Sequence, residues 1–195
     1  MKFFLALQIA LAALVTAQDE DVSAYCTRTL PGTISLTVVP TVPVVSTARL
    51  PPLRLMSTDT AGVSSLVVCS DCGLPALTWA LTGGVLRAAT TASSTVAAAA
   101  YYNLFVEANT SPSFAISGFV PPPQFPIYCA VPDAVGSKTG YLALRGTTKE
   151  FYTCDNLIPT FAPTDRKDVF WRVNPKNATY PRGDCKKANI LYKLV

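Results

Sequence analysis

No histidine occurs anywhere in the 195 residues. That absence removes the base of Ser-His-Asp and Cys-His triads and the paired histidines of ribonuclease chemistry. It removes histidine-ligated zinc and copper as well, including the histidine brace of copper-dependent polysaccharide enzymes. A peptidase, lipase or cutinase of the usual mechanism is excluded with it. Charge is scarce too. Asp, Glu, Lys and Arg together make up 14% of the chain, against about a quarter in ordinary globular domains. The formal net charge of +4 is too mild to argue for nucleic acid. No glycine-rich phosphate loop succeeds a strand and opens a helix, and Gly83-Gly84 reads as a turn. Beyond the first fifteen residues no apolar run approaches the ~20 residues of a membrane span.

The chain does carry an address at its start. Met1-Lys2 precedes an apolar run from Phe3 to Val15, and Thr16-Ala17-Gln18 comes next. A basic start, about a dozen apolar residues and a small-residue exit make a secretory signal peptide. Val15 and Ala17 stand three and one residues before the expected cut, so residues 1–17 leave and Gln18 starts the mature chain. The closing run Ala188–Val195 is short and carries Lys193, which argues against a GPI signal.

All six cysteines, Cys26, Cys69, Cys72, Cys129, Cys154 and Cys185, lie after that segment. An even count in an exported chain reads as three disulfides. Cys154 and Cys185 are expected to staple the last third of the chain. Cys69-Ser70-Asp71-Cys72 has the spacing of a redox couple or half a zinc site. It lacks a second ligand pair and a βαβ setting, and Gly73 and Pro75 come after it, so a local disulfide across a turn is expected. Cys26 and Cys129 then pair by elimination. Asn109-Thr110-Ser111 and Asn177-Ala178-Thr179 are glycosylation acceptors among turn formers. The Ser, Thr and Pro residues between Thr27 and Thr60 leave room for O-glycosylation.

The pattern of strands is dense. Thr33–Val39 alternates and is rich in β-branched residues. Pro40, Pro43, Pro51 and Pro52 then restrict the next stretch to edge strand or extended linker, since each removes a ladder donor. Leu53–Met56 and Ser64–Cys69 are further strands. Leu77–Leu81 and Val85–Ala88 flank Thr82-Gly83-Gly84, which is hairpin chemistry. Ala88–Ala100 mixes helix-favouring alanines with Thr and Ser and reads as loop or short helix. Tyr101–Glu107 and Phe114–Phe119 flank the Asn109 loop. Pro121–Pro123 is a stiff spacer before Phe125–Ala130. Tyr141–Arg145 and Lys149–Cys154 are expected to form a hairpin around Gly146-Thr147-Thr148. Asp168–Val173 and Ala188–Val195 supply the final strands. The expectation is an all-β fold, a single disulfide-stapled β-sandwich or irregular β-barrel with little helix. Residues 18–50 form a mobile lead-in with Pro-rich edge strands, and residues 51–195 the β-rich domain.

Chemistry without histidine is left to carboxylates. Glu107, Asp133, Glu150, Asp155, Asp168 and Asp184 fall within or beside expected elements, and a glycosidase needs two such acids in a cleft. They show no paired pattern and read equally as solvated strand ends. From Arg145 to Val195 there are ten basic and five acidic residues, a footprint for acidic wall polymers or simply a soluble face. Trp171 and Tyr180 are sugar-stacking candidates, although Trp171 sits in an alternating strand and suits a core equally.

Phe151-Tyr152-Thr153-Cys154, Val169-Phe170-Trp171 and Gly183-Asp184-Cys185 through Leu194 together resemble a group of small secreted ascomycete proteins. These are the wall-associated proteins of phialide development and, more loosely, the C-terminal domain of PIR wall proteins. Pro52–Ser57 and the Cys69/Cys72 turn resemble the first group. The Gln-containing repeats of PIR proteins are missing, so an ester link to glucan is not implied. The resemblance implies a secreted, wall-associated glycoprotein of β-rich fold and transfers no catalytic residue. The expected function is non-catalytic, structural or binding, at a fungal cell wall, with wall polysaccharide or wall proteins as partners and no metal or cofactor. Two alternatives stay open: a secreted effector or elicitor that binds a host or microbial partner, and a carboxylate-dependent glycosidase.

Overall fold

The computed structural model describes residues 25–41, 52–74, 77–90, 99–118, 123–155, 165–174 and 185–195. The expected signal peptide, Asn177, Tyr180 and Asp184 lie outside them. Twelve strands and no helix occur among the described residues. In chain order they are β1 (Ile34–Pro40), β2 (Leu53–Ser57), β3 (Val63–Val68), β4 (Leu77–Thr82), β5 (Val85–Thr90) and β6 (Ala100–Asn103). The second half holds β7 (Ser113–Ile116), β8 (Tyr128–Pro132), β9 (Thr139–Leu144), β10 (Phe151–Asp155), β11 (Lys167–Trp171) and β12 (Cys185–Leu194).

Nine strands close a barrel in the order β1-β4-β5-β6-β7-β3-β11-β10-β12, and β12 pairs back onto β1. Closure removes the exposed edges that an open sheet would leave. The β1–β12 seam shows why the sequence permits it. Ile34, Leu36, Val38 and Pro40 stand opposite Leu194, Tyr192, Ile190 and Ala188. On β1 the buried Ile34, Leu36 and Val38 alternate with exposed or half-buried residues, and on β12 the buried residues are Ala188, Ile190 and Tyr192. A period of two on both strands turns one set of apolar side chains inward. Each large one removed from water contributes about 1.5–3 kcal/mol.

The remaining strands hang on this ring. β2 pairs β3, and the β8–β9 hairpin pairs β12. Residues Tyr128–Ala130 and Leu142–Leu144 are buried at every position, not alternately. Part of the cover comes from the chain before β1. Thr27 and Ala130 exchange both backbone hydrogen bonds at 2.8 Å. The Leu30 N–H donates to the Leu81 carbonyl at 3.0 Å, and Gly84 N–H donates to the Arg28 carbonyl at 2.7 Å. Gly84 has φ +85° in the β4–β5 turn, and a Cβ there would stand 3.1 Å from the Pro126 backbone. Only glycine meets both demands.

The strand expected at Thr33–Val39 is present as β1, and its whole length pairs β12, so the barrel draws on the stretch expected to hold the lead-in and edge strands. On its other side β1 pairs, among the described residues, with Trp79 opposite Ile34 and Pro52 opposite Thr37. The expected hairpin of β9 with β10 does not form. Both strands pair the same side of β12, β9 at Ile190–Lys193 and β10 at Cys185–Ala188. They run end to end, and residues 145–150 loop out between them. Lastly, β5 extends to Thr90 and β6 starts at Ala100, so both ends of the Ala88–Ala100 stretch are strand.

All six cysteines are bonded, as Cys26–Cys129, Cys69–Cys72 and Cys154–Cys185. The pairings agree with the expectation from sequence. Cys154 and Cys185 face one another directly across the β10–β12 ladder.

Candidate cation–aromatic site

The loop-out after β9 positions the most unusual side chain of the fold. Leu144 and Thr147 exchange backbone hydrogen bonds at 3.0 and 3.2 Å, which closes a two-residue turn on Arg145 and Gly146. Both central residues have positive φ, +50° at Arg145 and +83° at Gly146. Glycine takes this conformation freely, whereas for a residue with a Cβ it costs about 1–2 kcal/mol. Arg145 N–H also donates to the Ile127 carbonyl at 2.7 Å, which fixes the turn against the chain entering β8.

Two more non-glycine residues among the described ones have positive φ, Asn109 at +63° and Arg172 at +51°. All three converge on Trp171 at the end of β11. Asn109 N–H donates to the Trp171 carbonyl at 2.8 Å, and Trp171 N–H donates to the Thr110 carbonyl at 3.0 Å. Arg172 N–H donates to the Glu150 carbonyl at 2.8 Å. Asn109 Oδ1 accepts the Asn174 N–H at 2.6 Å. The β6–β7 loop, the β9–β10 loop and the end of β11 are thereby tied into one knot of backbone. Strained residues gathered in this way are a recognised mark of functional sites.

The side chains build a platform on that knot. The Arg145 guanidinium lies 4.3 Å from the Phe105 ring centroid and 5.1 Å from that of Trp171, and the Arg172 guanidinium lies 4.6 Å from Trp171. These distances suit cation–π attraction. Phe105 meets Phe125 edge-on at 5.7 Å. Phe125 is placed by Asn103, a fully buried amide at the end of β6, whose Nδ2 donates to the Phe125 carbonyl at 2.8 Å. Asn103 Oδ1 accepts the Leu86 N–H at 2.7 Å, so the amide is engaged on both sides. Phe105 remains 50% exposed, and Arg145 is exposed as well.

The structure scatters the residues singled out from sequence. Asn109 stands half-buried in the knot. Trp171 is fully buried, so it supports the platform and offers no face to a sugar, and its indole N–H has no partner among the described residues. Asp155 pairs with Lys167, and Asp168 accepts from Arg166 at 2.8 Å. Asp133 accepts from the Thr139 hydroxyl at 2.7 Å. Glu107 and Glu150 lie on the two loops of the knot, Glu107 exposed and Glu150 half-buried. Among the described residues no group of three or more His, Cys, Asp and Glu is placed to hold a metal ion. Cys69 and Cys72 are buried with Val67, and Ser70 N–H donates to Asp165 Oδ2 at 2.8 Å. That hydrogen bond holds the Asp165 carboxyl below its usual range.

Sequence reasoning passed over Phe105 and Arg145 as members of a site. The available signal was Arg145-Gly146, a turn dipeptide carrying a large cation where Asn, Asp or Gly is favoured. Comparison with known proteins adds nothing to the geometry: no family model, no curated protein and no solved structure matches the chain.

Proposed function

We propose that the protein is an exported, N-glycosylated component of a fungal cell wall that acts by binding or bracing and not by catalysis. The observation that carries this reading is the pairing of all six cysteines, which suits an oxidising compartment. A histidine-free sequence and a barrel without open edges among its nine strands suit a durable extracellular body. The acceptor Asn109 lies in the same loop system as an exposed arginine and phenylalanine, which favours contact with a wall component. Fractionation of the producing cells tests the reading. The protein is expected in the wall pellet as a glycoprotein without free thiols, and recovery of a reduced form from cytosol contradicts it.

A second reading, a secreted effector that binds a foreign partner, draws on the same exposed site. It requires the protein to be in the culture fluid during an interaction and not in the wall. A glycosidase is distinguished by assay of the purified protein on glucan, chitin and mannan. Turnover lost on Glu150→Gln would establish it.

A further inference from the structure

The Arg145 platform carries a strain that the fold alone does not explain. Glycine at this position would form the same turn without the left-handed penalty. Arginine instead lifts a guanidinium out of the β9–β10 loop and sets it against Phe105. Among the described residues that guanidinium has no carboxylate partner. Asp155 and Asp168 are ion-paired with Lys167 and Arg166. Arg172 adds a second positive charge over Trp171. The chain from Arg145 onward carries twice as many basic as acidic residues, a positive balance that favours an anion at long range, with Glu107 and Glu150 the acids on the loops of the knot.

We propose that Arg145 and Phe105 form a subsite for an acidic sugar, a uronic-acid unit of a polysaccharide. This rests on the binding role proposed above and names its ligand class. The guanidinium presents two parallel N–H groups that match a planar carboxylate in a bidentate pair. The exposed part of Phe105 lies beside it and takes the apolar C–H face of the pyranose ring. Asn103 and Phe125 hold Phe105 from behind, so the surface is set before ligand arrives and little ordering is lost on binding. Trp171, wholly buried, underlies both arginines.

The test is calorimetric titration of the purified full-length glycoprotein with an oligogalacturonide. A neutral β-glucan oligomer and a phosphorylated mannan oligomer of similar length are the comparison ligands. The uronate is expected to bind best, and Arg145→Gln to weaken it by about tenfold or more. Arg145→Lys, which keeps the charge and loses the fork, is expected to fall between the two. Phe105→Ala is expected to weaken binding without changing its salt dependence. Arg145→Gly is the decisive variant, because it relieves the backbone while removing the guanidinium. It should melt no lower than the parent and bind no uronate. A marked loss of stability in Arg145→Gly makes the arginine a structural brace and overturns the proposal. So does equal affinity for the neutral oligomer, preference for the phosphorylated one, or unchanged binding in Arg145→Gln. Failure here leaves the protein in the wall pellet, whereas failure of the wall reading moves it to another fraction with this binding intact.

Discussion

Removing the disulfides one pair at a time should give a ranking set by chain topology and not by burial. Cys26–Cys129 spans 103 residues, Cys154–Cys185 spans 31, and Cys69–Cys72 spans 3. In the chain-entropy account, a cross-link stabilises by shrinking the unfolded ensemble, and more so for longer loops. The three spans correspond to about 4.7, 3.7 and 1.6 kcal/mol. Burial makes the opposite forecast for the shortest bridge. Cys69 and Cys72 are both buried, at 0% and 7% exposure, whereas Cys26 and Cys185 are half-buried. If packing of sulfur dominated, the double substitution Cys69→Ala/Cys72→Ala would cost most. Three double alanine variants, unfolded in urea with the other bridges oxidised, separate the two accounts. The Cys26/Cys129 variant is expected to lose most and to melt roughly 9–19 °C lower, at about 2–4 °C per kcal/mol for a chain of this size. A Cys69/Cys72 variant that loses as much as either other pair would refute the loop-closure reasoning.

Two further outcomes concern buried or tethered groups. The Tyr128 hydroxyl is buried with no hydrogen-bond partner among the described residues, and burial pushes its ionisation well above the usual phenol range. Tyr128→Phe should therefore stabilise the barrel by about 1–3 kcal/mol. In the parent, stability should fall as pH rises past the ordinary tyrosine range, because only the unfolded chain ionises this phenol there. Phenolate absorbance tracked beside unfolding checks both, and a lower-melting Phe variant contradicts them. For Asp165 the sign is reversed. Its carboxyl is held low by the Ser70 N–H, so the tether is present above the ordinary carboxylate range and is lost as pH falls through the lower folded value. The protection factor at Ser70, exchange taken relative to the intrinsic rate at each pH, should fall in acid in the parent and vary little with pH in Asp165→Asn; identical profiles count against the tether.

Much of the architecture could be read from local pattern. The alternation of Ile34, Leu36 and Val38 and the Gly83-Gly84 pair announce a strand and a hairpin that the fold contains. The cysteine pairs come from count, spacing and elimination. The failures have a common cause. Pairing partners are chosen across the whole chain, and periodicity says nothing of which strand an element will meet. Tyr141–Arg145 and Lys149–Cys154 look like a hairpin because a turn dipeptide separates them. In the fold, β12 is long enough to serve both strands along one side, so the turn becomes a loop-out. The platform was hidden for the same reason. Phe105, Arg145 and Trp171 lie on three separate segments of sequence, and only the knot of Asn109, Arg145 and Arg172 brings them together.

Seam formation has a consequence for biogenesis. Ser35 and Lys193, joined across β1 and β12, are 158 residues apart, and β12 is the last of the described strands in chain order. A nascent chain therefore carries β1 with its partner edge bare until translation has passed β12. Contacts so remote in sequence form slowly, because the loop must close before they can contribute. Until then the polypeptide stays pliable. Its hardening into a closed cylinder waits on the last of the described strands.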